Sequence, residues 1–114
     1  MIGSTAALRK FTGLLRAYCS NPDNARISEH EHYGPYFYLE VGTWTKTEIT
    51  DHWIAGPLPD LRALADEIDG RLDAARPGDI LAFRDVFAPD APYALDLEVR
   101  GEPFDPASLD ENAR

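Results

Sequence analysis

Two closely spaced histidines and a third farther along are the residues best suited, by type and spacing, to do chemistry. In Ser28-Glu29-His30-Glu31-His32-Tyr33 they alternate. In a strand, alternate residues project from one face about 7 Å apart, a spacing at which two imidazoles can share a metal. His52 would supply a third nitrogen if its strand lay alongside. A cupin-type site needs a carboxylate soon after its His-x-His, but the next acid after His32 is Glu40. The chain is also short for a double-sheet jelly roll. The spacing therefore favours a polar, exposed strand face. No metal and no other cofactor is expected.

The remaining reactive side chains are set no better. Asp51 and His52 are sequence neighbours, which a strand sends to opposite faces. No Gly-x-Ser-x-Gly elbow, phosphate loop or Gly-x-Gly-x-x-Gly turn is present to supply a nucleophile or hold a nucleotide. Cys19 falls near the end of a helical stretch, away from the helix N-terminal setting that lowers a thiol pKa. Carboxylates abound, but abundance on an acidic chain is no sign of acid–base catalysis. No catalytic residue is expected. A small enzyme or metal-binding protein using His30, His32 and His52 stands as an alternative.

Aromatic residues and charge say more. Tyr33, Tyr36, Phe37, Tyr38, Trp44 and Trp53 crowd one region. Alternation over 36–41 puts Phe37, Leu39 and Val41 on one face and Tyr36, Tyr38 and Glu40 on the other. Tyrosines beside a carboxylate on an outward face have the composition of a protein-binding patch. A helix over that face would instead make them core residues with satisfied hydroxyls. The formal charge is −9, and its distribution is uneven. Residues 1–57 hold six acids and five bases, whereas residues 58–114 hold fourteen acids and six bases. Such a field repels nucleic acid and speeds encounter with a basic partner. It also serves solubility alone.

The elements that must carry these residues follow from pattern. Ser4 suits an N-cap, and Leu8, Phe11, Leu15 and Tyr18 follow at helical spacing, giving a helix over 5–19 with Arg9, Lys10 and Arg16 off its stripe. A loop over 20–24 leads to extended segments at 26–33, 36–41 and 44–54, the last with Ile49 and Trp53 on a core face. Its even positions Lys46, Glu48, Thr50 and His52 are assigned to solvent or a partner. Gly56-Pro57 ends this run and Pro59 opens a second helix, in which Leu61, Leu64, Ala65, Ile68 and Leu72 make one stripe. Arg62 with Asp66 and Glu67 with Arg71 are i,i+4 pairs on its exposed side. Two more strands are expected at 79–87 and 93–100.

The order α-β-β-β-α-β-β predicts an α+β fold, an antiparallel sheet of about five strands with helices packed on one face. Residues 1–114 read as a single domain, with 1–4 and about 102–114 extended or partly disordered. A lone cysteine excludes an intramolecular disulfide. No apolar run approaches a membrane span, and Arg9, Lys10 and Arg16 interrupt the N-terminal apolar residues where a signal peptide would be continuous. The expected compartment is the cytoplasm.

Several motifs together carry a resemblance. They are the run Tyr33-Gly34-Pro35-Tyr36-Phe37-Tyr38-Leu39, the lead-in Ile54-Ala55-Gly56-Pro57-Leu58-Pro59-Asp60-Leu61, the strand start Pro77-Gly78-Asp79, and Phe104-Asp105-Pro106-Ala107-Ser108. Over residues 33–108 the chain resembles small bacterial immunity proteins of polymorphic-toxin systems. The resemblance implies a protein that neutralises a cognate toxin by binding it, and it transfers no functional residue. The expectation is a protein-binding inhibitor that occludes the basic surface of a toxin, with no membrane or direct nucleic-acid contact. An acidic nucleic-acid mimic of anti-restriction or anti-CRISPR type is a further alternative. The expected partner-binding residues are Asp66, Glu67, Asp69 and Asp73 on the second helix, with Tyr36, Tyr38 and Glu40 on the sheet. The four helix acids lie off the apolar stripe and repel one another, which a basic partner would relieve.

Overall fold

The computed structural model describes residues 1–33, 39–51 and 53–101. Helix α1 spans Thr5–Ser20, and Ser4 caps it: its Oγ accepts the Ala7 N–H at 3.1 Å. The expected stripe is buried, from Leu8 and Phe11 through Leu15 to Tyr18, with Thr12 and Cys19 beside it. Helix α2 spans Leu58–Leu72, with proline in its first turn, where a missing N–H leaves no orphan. It buries Leu61, Leu64, Ala65, Ile68 and Leu72, the whole predicted stripe. The two helices pack on each other, and a 3-10 turn over Pro22–Ala25 leads from α1 to the sheets.

The fold is α+β, with the strands divided between two sheets. In the smaller, β1 (Ile2–Ser4) runs parallel to β7 (Asp96–Arg100), and β6 (Ile80–Ala82) pairs antiparallel on its other side. The first residues, expected as an extended or partly disordered end, thus supply an edge strand. In the larger, the order is β2 (His30–Tyr33), β3 (Leu39–Thr43), β5 (Trp53–Gly56), β4 (Glu48–Ile49). The pairs β2–β3 and β4–β5 are antiparallel, but β3 and β5 are parallel. The expectation of one antiparallel sheet of about five strands is corrected to two mixed sheets. The cause is local: after β3 the chain crosses to the outer side of β5 and returns between the two. Helix α3 (Arg84–Phe87) likewise replaces the end of the strand expected over 79–87.

The most consequential departure lies in residues 44–54. Instead of one strand, the chain reverses: the Thr50 N–H donates to the Trp53 carbonyl at 2.9 Å, and the Trp53 N–H donates to Thr50 Oγ1 at 3.2 Å. Ile49 therefore stands opposite Ile54, not on one face with Trp53. Every residue after the reversal changes parity, the sheet equivalent of a one-residue register slip. Ile49, Val41 and Ile54 enter the core with the helix stripes and with Phe83, Leu97 and Val99; Trp53 does not. The expected core positions Phe37 and the Leu39 side chain lie outside the described residues, as does the segment 102–114. No described helix is long and apolar enough to cross a membrane.

Candidate protein-binding face

The acidic row on α2 is where the sequence concentrates charge. Asp66, Glu67 and Asp73 are exposed and Asp69 is half-buried, off the apolar stripe as expected. Their supposed mutual repulsion is corrected by α1. Arg9 reaches Asp73 at 2.6 Å and Asp69 at 3.5 Å. Arg16 reaches Asp66 at 2.8 Å and also pairs with Asp69. The Thr12 hydroxyl, fully buried, donates to Asp69 Oδ1 at 2.8 Å. Hydrogen bonds to Asp66 and then Asp69 push the Arg16 guanidinium above its ordinary pKa. Glu67 pairs with Arg71 at 3.8 Å as the spacing predicts, but Arg62 turns to the Cys19 carbonyl at 3.3 Å and leaves Asp66 to Arg16. Three of the four acids are thus engaged by the chain's own arginines along the α1–α2 seam. Arg9, Thr12 and Arg16 follow the same helical spacing as Asp66, Asp69 and Asp73, so the two rows meet once the helices pack side by side.

The outer face of the four-stranded sheet is arranged otherwise. Register places Gly42 between His30 and Ala55, with Glu48 beyond, and places Glu40 beside Trp53. These positions alternate with Val41, Ile54 and Ile49, which point into the core. The Trp53 ring lies across Gly42 so closely that a Cβ on that glycine would sit 2.6 Å from two ring carbons. Trp44 meets Trp53 with ring centroids 5.8 Å apart and planes inclined at 59°, within the tilted geometry favoured by aromatic pairs. Both tryptophans are half-buried, and among the described residues neither belongs to the core cluster. His30 Nε2 stands 3.6 Å from Glu40 Oε1. Glu40 and Glu48, both half-buried, border the aromatic pair.

Of the sequence-predicted sheet residues, Glu40 lies on this outer face; Tyr36 and Tyr38 lie outside the described residues, as does His52. Among the described residues no three of His, Cys, Asp or Glu gather as metal ligands. Cys19 is buried, its Sγ donating to the Leu58 carbonyl at 3.4 Å, and burial pushes its thiol pKa up, away from the thiolate a nucleophile needs. The Tyr18 hydroxyl meets Thr43 Oγ1 at 2.7 Å, and Thr43 in turn donates to the Asn24 carbonyl. Burial raises the Tyr18 pKa. This network fixes the end of β3 next to Gly42 and so supports the aromatic face from beneath. Sequence reasoning missed the Gly42–Trp53–Trp44 cradle; its signal is a glycine within a strand otherwise rich in large residues, which marks close approach by another group. No protein-family model, curated protein or solved structure matches the chain.

Proposed function

We propose that this chain is a protein-binding inhibitor of the immunity-protein kind, acting in the cytoplasm, which engages a basic toxin through the outer face of its four-stranded sheet. One observation carries the reading: Trp53 held over Gly42 and paired with Trp44, outside the core and bordered by Glu40 and Glu48. Large aromatic side chains on a fixed backbone lose little conformational freedom on binding, and tryptophan is enriched among residues that dominate interface energies. Carboxylates around such an anchor suit a partner of opposite charge and raise its rate of encounter. The acidic row on α2 contributes to the long-range field, but its contacts with Arg9 and Arg16 give it a role within the fold. The same contacts weigh against a nucleic-acid mimic built on that helix, because a mimic presents a row of uncompensated negative charge.

The test is growth rescue. Co-expression with the toxin domain encoded in the adjacent reading frame should restore growth, and the two proteins should co-purify. Trp53→Ala should abolish rescue while the purified variant keeps its melting temperature within a few degrees. Failure to rescue, or rescue undiminished by Trp53→Ala, would overturn the reading.

A further inference from the structure

The smaller sheet ends on β6, and register fixes which groups its outer edge presents. The Val99 N–H donates to the Asp79 carbonyl at 2.8 Å, and the Phe83 N–H donates to the Leu95 carbonyl at 2.9 Å. These bonds bracket the pairs Ile80–Glu98 and Ala82–Asp96, which are therefore the non-bonded pairs of the antiparallel ladder. In such pairs the main-chain N–H and C=O point away from the partner strand, so those of Ile80 and Ala82 point to the edge. Both residues are exposed, and Ile80, at 63%, is the most exposed large apolar residue among those described. An edge strand is ordinarily blunted by lysine, proline or a covering element at such a place. The larger sheet offers no equivalent at its edge strand β4, where Ile49 is buried.

The open stretch is short and closed at both ends. At its start the Asp79 N–H donates to the Arg76 carbonyl at 3.0 Å, across a turn with Pro77 second and Gly78 third, where a φ of +99° suits glycine. The Gly78 N–H is taken by the Val99 carbonyl at 2.7 Å. At the other end Arg71 donates to the Ala82 carbonyl at 2.7 Å, and its guanidinium carbon lies 4.7 Å from the Phe83 ring centroid. What remains is the N–H and C=O of Ile80, midway along 78–82, and the N–H of Ala82.

That set of groups is self-complementary. With a second copy antiparallel and Ile80 opposite its own counterpart, each Ile80 N–H meets the other Ile80 carbonyl, and residue 78 of one copy faces residue 82 of the other. A longer ladder would there join the Gly78 N–H to the Ala82 carbonyl, the two groups that each chain already satisfies internally. The same placement brings Arg71 of each copy beside Asp79 of the other, and it sets the two exposed isoleucines at the distance of a cross-strand pair. The chain's charge of −9 is not concentrated here: the segments flanking β6 hold Arg76 and Arg84 against Asp79 and Asp85, and Arg71 is paired with Glu67. We infer that two copies of this chain join edge to edge at β6, about a two-fold axis through Ile80, so that their three-stranded sheets become one sheet of six strands. Such a dimer does not depend on the protein-binding reading and uses none of the residues of the tryptophan face.

The test is sedimentation of the full chain over a concentration series. So short an edge belongs with weak, transient contacts, and dimer should accumulate between about 10 µM and about 1 mM. Ile80→Lys sets like charges opposite each other on the axis and should weaken dimerisation by about tenfold or more. Ile80→Pro removes the edge donor at the first position of β6, where a sheet tolerates proline, and should weaken it by about as much. Both variants should keep the melting temperature of the dilute parent within a few degrees, because the side chain is exposed. Asp79→Asn keeps the oxygen that accepts from the Arg76 N–H and removes the charge facing Arg71, so it should weaken the dimer by about twofold to fivefold at low salt and less at high salt. Raising the concentration should slow hydrogen exchange at the Ile80 amide, while the Leu81 amide, bonded to Leu97 within each chain, stays protected throughout. Trp53→Ala should leave dimerisation unchanged. A chain that stays monomeric at about 1 mM, a dimer indifferent to both Ile80 variants, or a dimer lost on Trp53→Ala would overturn the pairing at β6. So would concentration-dependent protection on the tryptophan face with none at Ile80.

Discussion

The acidic row of α2 and the outer face of the four-stranded sheet both carry carboxylates, yet they use them differently. On α2, Asp66, Asp69 and Asp73 find Arg9 and Arg16 on the neighbouring helix, so their charge joins two elements of the fold. On the sheet, Glu40 and Glu48 border a tryptophan pair that the core does not use. The difference teaches that a local excess of charge is a poor guide to a binding site until its internal partners are known. An aromatic pair held outside the core is a better one, because water alone gives it no reason to be there.

The largest effect expected from breaking this comparison is on binding. Trp53→Ala should cost about 2–4 kcal/mol of affinity for the proposed partner, as hot-spot tryptophans do. Its effect on urea denaturation should be slight, since Trp53 is no part of the core. Gly42→Ala is the sharper version: the new methyl group must displace the ring that now lies 2.6 Å from its position. It should lower affinity and alter the near-ultraviolet dichroism of the tilted tryptophan pair together. Affinity lost without any change in that signal would mean the cradle does not set the ring.

Next in size is the opposite pattern on α2. Asp69 accepts hydrogen bonds from buried Thr12 and from Arg16 and pairs with Arg9 at 3.5 Å, with 24% of its side chain exposed. Asp69→Ala should lower unfolding free energy by about 1–2 kcal/mol, because a hydrogen-bonded charge in a partly buried seam is worth more than a surface pair. Affinity for the partner should stay within about twofold. A variant that keeps its stability and loses its partner would reverse the roles of the two regions.

Much of this fold was legible in the sequence, and the reasons differ by element. Both helices follow from one-sided apolar spacing. The Ser4 cap and the five-residue stripe of α2 are local facts that tertiary packing had no cause to override. The sheets were less legible, because pairing depends on where the chain turns. Residues 44–54 are rich in Thr, Trp and Ile, and Asp51 alone, with no Gly or Pro, marks the reversal between Thr50 and Trp53. Missing that turn inverts the parity of Trp53 and hides the tryptophan face. The Arg9–Asp73 and Arg16–Asp66 pairs needed knowledge that α1 and α2 pack together, which spacing along one helix cannot supply. The outward position of Glu40 was legible because alternation over 36–41 holds on the part of β3 that the structure describes.

A smaller effect connects the two regions through pH. Tyr18, on α1, meets Thr43 at the end of β3, and burial raises its pKa; Cys19, on the same helix, is raised for the same reason. Both groups are neutral when protonated, so at alkaline pH the folded state holds protons that the unfolded chain has released. Stability from this source is full below the ordinary values, about 8.5 for Cys and 10 for Tyr. It is lost as pH rises through the raised folded values. Urea midpoints should therefore fall above that onset. Tyr18→Phe should flatten the part of the fall above about pH 10, the ordinary tyrosine value. An unchanged slope in Tyr18→Phe would remove the hydroxyl from the account.

The smallest expected effect decides the most about α2. Among the described residues Glu67 is the one acid of that row without a partner on α1; it pairs with Arg71, one turn along, at 3.8 Å. Exposed i,i+4 pairs are worth about 0.3–0.5 kcal/mol, so Glu67→Lys should change stability by no more than about that amount. If the sheet face is the site, reversing this charge alters only the distant field. Association at low ionic strength should then slow by no more than about twofold, and the difference should vanish at high salt, where charges are screened beyond about 8–10 Å. If the α2 row meets the partner directly, Glu67 is the carboxylate best able to do so, because the others are held by the arginines of α1 and its own pairing with Arg71 is longer, at 3.8 Å. Its reversal would then speed dissociation as well as slow association, and the loss would persist in salt. Association and dissociation rates of Glu67→Lys, measured beside Glu40→Lys across a salt series, separate a charge that steers from one that touches.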